Sequence, residues 1–267
     1  MDKRSAMDEA VTRVSSGSTL AIGGVLLYRK PVKFIRELLR HYYQTGQPND
    51  ITLLSFTAGI ECDWLVGAGM VSRIRTCYFG LEIFGLAPMF TYYANNGLIE
   101  IIEETEASLA YGLRAQMARV GFMPGRGWIG TDLPALRPDI KTINDPYSGE
   151  ELLAFPAIKP DVAVIHALRA DKEGNVQIGA NKGVDEDLAV AANFVIATAE
   201  EVDEALNKAD IVCPFIDKVI AVPGGAQPTS CHPLYPLDGK FILNYVEQVT
   251  TPESFKAFIG EYLNSNP

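Results

Sequence analysis

The chain has 267 residues, a formal charge of −10 and an apolar fraction of 48%. That is ample material for a sizeable core, and the acidic balance argues against nucleic acid as a principal partner. No apolar run reaches bilayer-spanning length and the start, Met1-Asp-Lys-Arg-Ser-Ala, lacks a secretory hydrophobic segment, so a cytoplasmic protein with no membrane partner is expected.

In chain order, Asp2 to Ser15 reads as a short helix with Ala6, Ala10 and Val14 on one side, closed by Ser16-Gly17. Thr19 to Ile22 is a short apolar strand that breaks at Gly23-Gly24. Pro31 then opens an amphipathic helix with Val32, Ile35, Leu38 and Leu39 on one face, ended by Gly46. Two adjacent glycines at a strand end let N–H groups turn outward and let a ligand approach without a Cβ in the way. The corner either holds an anion or oxyanion or is only a tight connection. The G-x-G-x-x-G spacing of dinucleotide sites is absent, since Val25, Leu26 and Leu27 follow Gly24.

Ile51 to Ser55 is a second strand, followed by a small-residue turn, Phe56-Thr-Ala-Gly59, and a helical segment through Trp64 and Leu65 to Gly69. Ser72 to Phe79 is a third strand. Leu81 to Tyr93 is apolar, aromatic and irregular, either a subunit interface or a buried loop. Gly97 to Glu103 is a strand, and Glu106 to Val120 a helix with Leu109, Leu113, Met117 and Val120 on one side and Thr105 as N-cap.

Gly121 to Pro160 is rich in glycine and proline and reads as one long excursion with a short hairpin. Strands resume at Asp161 to His166, Val176 to Ile178, Phe194 to Thr198 and Val219 to Val222, with a polar hairpin turn at Ala170 to Val176, an acidic helix from Glu200 to Lys208 and a last helix from Pro252 to Leu263. Strands separated by helical patterns predict an α/β fold, an open, mostly parallel sheet with helices on both faces, forming one domain over residues 1–267.

Ligands of such sheets bind at the carboxyl ends of strands. Four corners fall there: Gly23-Gly24, Ser55 to Gly59, Glu103 to Glu106, and Pro223-Gly-Gly-Ala-Gln-Pro-Thr-Ser-Cys231. Among Glu103, Glu104 and Glu106, one acid is a general base or substrate-binding group, or the three are ordinary helix-capping acids; Glu106 is favoured as a carboxylate by the helix dipole. Pro223 to Cys231 offers consecutive backbone donors around Gly224-Gly225 and the hydroxyls of Thr229 and Ser230, suited to an anion or to a plain turn. Ser230 and His232 make no triad, for there is no G-x-S-x-G elbow. Cys62, Cys77, Cys213 and Cys231 form no C-x-x-C pair and His41, His166 and His232 are scattered, so buried reduced thiols are expected and no metal site.

Taken together, Ile22-Gly-Gly-Val-Leu-Leu-Tyr-Arg-Lys-Pro31, Val66-Gly-Ala-Gly69, Arg169-Ala-Asp-Lys-Glu-Gly-Asn-Val176 and above all Val222-Pro-Gly-Gly-Ala-Gln-Pro-Thr-Ser-Cys231, with Tyr235 and Asp238 after it, resemble the A (α) subunit of family I CoA-transferases of the glutaconate type. The likeness spans almost the whole chain. It implies the open CoA-transferase, NagB-like fold, a B subunit of similar build in a hetero-oligomer, A2B2 in stoichiometry, and an active site at the A/B interface. The substrate is then a coenzyme A thioester together with a carboxylic acid, with no tightly bound cofactor. In that family the nucleophile is a glutamate of the B subunit in a Ser-Glu-Asn-Gly-like turn. The matching place here, Ser55-Phe-Thr-Ala-Gly59, has no acid at its second position, so this chain is not expected to form the glutamyl thioester.

The resemblance gives the chain a supporting share of the site. Gly23 and Gly24 would be oxyanion donors, and Arg29 or Lys30 would meet a substrate carboxylate or a CoA phosphate, or else be exposed helix-start cations. Val25, Ser55, Thr57, Gly224, Gly225, Gln227, Thr229 and Ser230 would line the substrate. Relatives of the same build include ring-opening hydrolases of steroid catabolism and decarboxylases of glutaconyl-type CoA esters. The hydrolases lean on an A-chain glutamate, and Glu103 and Glu106 sit where it is expected.

Overall fold

The computed structural model describes residues 1–265. The first helix, α1 (Met7–Val11), is shorter than the sequence predicts. Residues before it run instead along the sheet edge, where Ser5 N–H donates to Val219 and Val219 N–H to Lys3. An extended partner for those amides outweighs a weak helical pattern. β1 (Thr19–Ile22) is fully buried beyond its first residue, as an interior parallel strand must be. α2 (Val32–Thr45) buries Val32, Ile35, Leu38 and Leu39 as expected, and ends at Gly46 with φ 74°.

β2 (Ile51–Ala58) continues through Phe56, Thr57 and Ala58, where a turn is predicted, because β3 (Val71–Phe79) pairs Thr57 with Tyr78 and Ala58 with Phe79. The turn is Gly59, which leads into α3 (Ile60–Gly67). The irregular aromatic segment resolves into a 3-10 turn at Glu82–Phe84 and α4 (Pro88–Asn95). Leu81, Ala87 and Met89 go inside while Ile83 and Leu86 stay 93% and 70% exposed, so the segment is divided between core and surface. β4 (Glu100–Glu103) and α5 (Glu106–Met117) follow, the helix capped by Thr105 as expected.

The glycine- and proline-rich excursion is more ordered than a loop with one hairpin. β5 (Phe122–Gly125), α6 (Leu133–Leu136), β6 (Lys141–Asn144) and β7 (Glu151–Pro156) build a separate antiparallel sheet in the order β5-β7-β6. Trp128, Ile140, Leu153 and Phe155 form its own small core.

β8 (Val162–Asp171) folds back on β9 (Val176–Gln177) in the predicted hairpin, and α7 (Asp185–Ala191) follows unheralded. β10 (Phe194–Asp203) then overturns the expected acidic helix from Glu200. Its second half pairs Glu201 with Arg169, Val202 with Ala170 and Asp203 with Asp171, so the length of β8 decides the outcome, not local propensity. After β11 (Lys218–Ala221) come α8 (Gly239–Gln248), which is capped by Asp238 and not predicted from the sequence, and α9 (Pro252–Asn264).

The main sheet runs β11-β10-β8-β1-β2-β3-β4, all parallel, with β9 attached antiparallel to β8. Leu20, Ile22 and Leu53 face a core shared with α2, α3, α8 and α9, whereas Ala21, Leu54, Ala163, Ile165 and Ala197 face α5 and α7. Helices therefore cover both faces, as predicted. β2 to β4 extend from β1 in one direction, and β8, β10 and β11 in the other. The strand order reverses between β1 and β8, beside Gly23, and such a reversal opens a crevice at strand carboxyl ends. Among the described residues no helix is long and apolar enough to cross a membrane.

Asp63 of α3 ties three helices together. It accepts N–H bonds from Met89 and Phe90 at the start of α4, at 3.2 and 2.6 Å, and the Tyr245 hydroxyl of α8 at 2.6 Å. Burial pushes its carboxyl up to about 6 against these bonds. A carboxyl raised on folding contributes stability that is complete below its unfolded pKa of about 4 and is lost as pH rises through the folded value. Asp63→Asn should therefore lack the fall in stability that the wild type shows between about pH 4 and pH 6. Thermal melts of both proteins across that range check this; parallel curves would refute it.

Candidate active site

The glycine corner is closed from inside. Gly23 N–H continues the ladder to the Val164 carbonyl at 2.9 Å, and Gly24 N–H donates to Asp185 Oδ1 at 2.8 Å. Val25 N–H donates to Tyr28 O, and Leu26 N–H to Thr57 Oγ1 at 2.7 Å. A Cβ on Gly23 would lie 2.7 Å from Asp185 Oδ1 and 2.8 Å from Ile165 Cγ2; on Gly24, at φ 78°, it would lie 2.6 Å from Arg29 O. The two glycines are thus required by the chain's own packing. The oxyanion role that the sequence offers Gly23 and Gly24 is corrected, because both donors are already engaged.

Arg29 and Lys30 are corrected too: neither is an exposed helix-start cation and neither reaches outward to a carboxylate or phosphate. Both side chains are fully buried. Arg29 pairs with Asp185 at 2.9 Å and donates to the carbonyls of His166 and Asn181 at 2.6 and 2.8 Å. Lys30 donates to the Thr57 carbonyl and stands 3.4 Å from Glu61 Oε1. Ser55 Oγ is turned inward to Ile22 O at 3.2 Å, so Ser55 and Thr57 fasten the loop from beneath.

The corner at Pro223 to Cys231 does hold an anion, and the anion is internal. Gly224 N–H and Gly225 N–H donate to the Glu200 carboxylate at 2.6 and 3.0 Å. His166 Nε2 meets the same group at 2.8 Å, and the Tyr235 hydroxyl donates to it. Burial alone would raise the Glu200 pKa, but the bonds from His166 and Tyr235 prevail and hold it below the usual glutamate value. Burial lowers His166, which favours the neutral ring with its proton on Nε2 toward Glu200 and Nδ1 facing Thr198 Oγ1 at 2.9 Å. A Cβ on Gly225 would lie 2.5 Å from His166 Cε1. Thr229 Oγ donates to Ala226 O, and Ser230 Oγ to Leu27 O at 3.1 Å, which binds this corner to the first one. Gln227 is exposed, beside Lys33 and Pro228 in a cavity of about 170 Å³. The external-anion assignment of Gly224, Gly225, Thr229 and Ser230 is corrected accordingly.

His166, Glu200 and Cys231 place one ligand-type atom each within 4.8 Å of the others, a grouping invisible in their spacing. Glu200 already takes four donors, three on Oε1 and one on Oε2, and burial pushes the Cys231 thiol up to about 11. Cys62 and Cys231 are buried as expected, whereas Cys77 and Cys213 are partly exposed; all four are free.

The third corner keeps its side chains available. Glu103 ends β4 and Glu106 begins α5, and both are exposed, while Glu104 between them is buried. Cys77 of β3 is pushed up to about 12, first by burial and then by the charges of Glu104, Glu106 and Glu103, so it stays a neutral thiol. β1 and β4 are three strand spacings apart, roughly 14 Å, so the glycine corner and the acidic turn do not meet in one catalytic contact.

The Coenzyme A transferase family model matches residues 4–220. This chain belongs to that family. Over 96% of this CoA-transferase chain and 91% of the relative, it is 34% identical to the A-type subunit of a 3-oxoadipate CoA-transferase from Pseudomonas knackmussii. It is 31% identical to a cholesterol ring-cleaving hydrolase IpdA subunit of Mycobacterium tuberculosis, over 98% and 94% of the two chains. The crystal structure of glutaconate coenzyme A-transferase from Acidaminococcus fermentans superimposes with a TM-score of 0.88 at 29% identity, covering 98% of this chain and 88% of that one. The resemblance to glutaconate-type CoA-transferases and the expected fold are thereby borne out.

In this CoA-transferase chain the Arg29–Asp185 pair carries the loop of the first corner. Asp185→Asn should cost about 3–5 kcal/mol, because it leaves a guanidinium buried without its counter-ion. Urea denaturation measures this, and an unchanged midpoint would count against the pair's role.

Proposed function

We propose that this chain is the α subunit of a heteromeric acyl-CoA:carboxylate CoA-transferase, working as one domain and assembled with a β subunit of similar fold, as A2B2 in the cytoplasm. The observation that carries the reading is an incomplete site on a CoA-transferase fold. The end of β2 offers inward-turned Ser55 and Thr57, its nearby carboxylate, Glu61, is buried against Lys30, and the glycine donors are spent within the chain. The nucleophilic glutamate and the donors that meet the developing oxyanion then come from the partner. Removing a donor of that kind commonly costs about 3 kcal/mol of transition-state stabilisation, so their absence here is decisive for rate. This chain contributes the acidic turn, with Glu103 and Glu106 facing the acyl group; their carboxylates suit handling protons near the thioester. The substrate is a coenzyme A thioester whose acyl group carries a second carboxylate, as the names of the glutaconate and 3-oxoadipate relatives suggest.

A second reading keeps the thioester and makes the reaction hydrolytic, with Glu106 as base. It is favoured by the likeness to the ring-cleaving hydrolase subunit together with the exposed Glu106 at a helix start. Co-expression with a B-type CoA-transferase chain from the same organism, followed by an assay of CoA exchange between acetyl-CoA and glutaconate, separates the readings. Exchange by the pair and by neither chain alone is expected, and exchange by this chain alone overturns the division of labour. Glu106→Gln should lower turnover by about 10²-fold or more. Addition of water to a cyclic β-keto CoA ester, breaking a ring C–C bond to leave a new carboxylate with the thioester intact and no CoA exchange, would favour the hydrolase.

A further inference from the structure

The excursion grips three consecutive residues of the acidic turn. Arg137 Nη1 donates both to the Glu103 carbonyl and to Glu104 Oε1, each at 2.7 Å. The other edge of the same guanidinium is held by Asp139, with Nε and Nη2 on its two carboxylate oxygens at 2.8 Å. Trp128 Nε1 donates to Thr105 Oγ1 at 2.8 Å, and that oxygen also accepts Ser108 N–H as the cap of α5. The Trp128 ring packs edge-on against Phe155 in the small core, so the grip is anchored in a folded unit. A Cβ on Gly127 would stand 3.1 Å from Ala107 Cβ, which shows how closely the excursion approaches the start of α5.

Each of these bonds to the turn is to main chain, to the capping hydroxyl or to buried Glu104, while Glu103 and Glu106 themselves stay exposed. An arrangement that fixes the backbone and spares the two flanking carboxylates suits a site more than a simple turn. We infer that the small antiparallel sheet is the positioning device for the acidic turn, with Arg137 and Trp128 as positioning residues that aim Glu103 and Glu106. This rests on the reading that those acids face the acyl group.

The charged and titratable groups around the turn are Arg75 and Cys77 of β3, Arg137 and Asp139 of the excursion, and the three glutamates.

The test uses the complex with its B-type partner, acetyl-CoA and glutaconate as probes, and hydrogen exchange of residues 103–109. Trp128→Phe keeps an aromatic ring beside Phe155 but removes the indole donor and part of the ring's volume. It should speed exchange there and lower kcat on the order of ten- to a hundredfold with little change in KM. Arg137→Gln should do the same, and Arg137→Lys should not restore the rate, because an ammonium cannot make the fork. Wild-type exchange in both Trp128→Phe and Arg137→Gln, or faster exchange with wild-type kcat, overturns the positioning role. Glu103→Gln and Glu106→Gln both at wild-type turnover overturn the catalytic reading itself, and the positioning role with it, whatever the exchange shows.

Discussion

The ion pair between Arg29 and Asp185 stands at the point where the strand order reverses, and much of the surrounding structure answers to it. Asp185 spends its second oxygen on Gly24 N–H, so one carboxylate neutralises the cation and satisfies the corner. The guanidinium in turn caps the carbonyls of His166 and Asn181, which links β8 to the segment leading into α7. Removing charges from water is costly, and such a pair is tolerable only when hydrogen bonds satisfy its remaining groups. Here most of them are. At the switch point this chain's own charges take up the corner's donors, while a cavity of about 540 Å³ lined by Tyr28, Leu168, Asn181, Ser230 and His232 lies open beside them.

The same logic recurs at Glu200. Backbone donors that could have received a foreign anion are given to a carboxylate from the neighbouring strand, and a neutral histidine and a tyrosine complete its shell. Three of the four corners are locked in this way, and the one that keeps exposed carboxylates is the acidic turn at the far strand of the sheet.

The sequence made the parallel sheet legible through its short apolar runs, and Gly46, Thr105 and the Gly-Asn hairpin marked boundaries that the structure keeps. What it hid was non-local. Glycine pairs report a missing Cβ but not what takes the space, and nothing near Gly24 points to Asp185, far along the chain. Glu200 to Lys208 has the composition of a helix, yet a ten-residue neighbour recruits its first part as strand. Arg29 and Lys30 look like surface cations because their counter-ions lie on other elements. Glu104 differs from Glu103 and Glu106 only through burial, which strand geometry and an arginine from the excursion decide.

The two ends of the main sheet are unlike. Residues 3–5 lie along β11 and occupy its hydrogen-bonding rim. At the opposite rim β4 is only four residues long and carries Glu100 and Glu103, both exposed. Brevity and like charge are how natural sheets discourage stacking of one molecule's edge on another's. The orphan chain therefore has a built-in defence against aggregation while it waits for assembly.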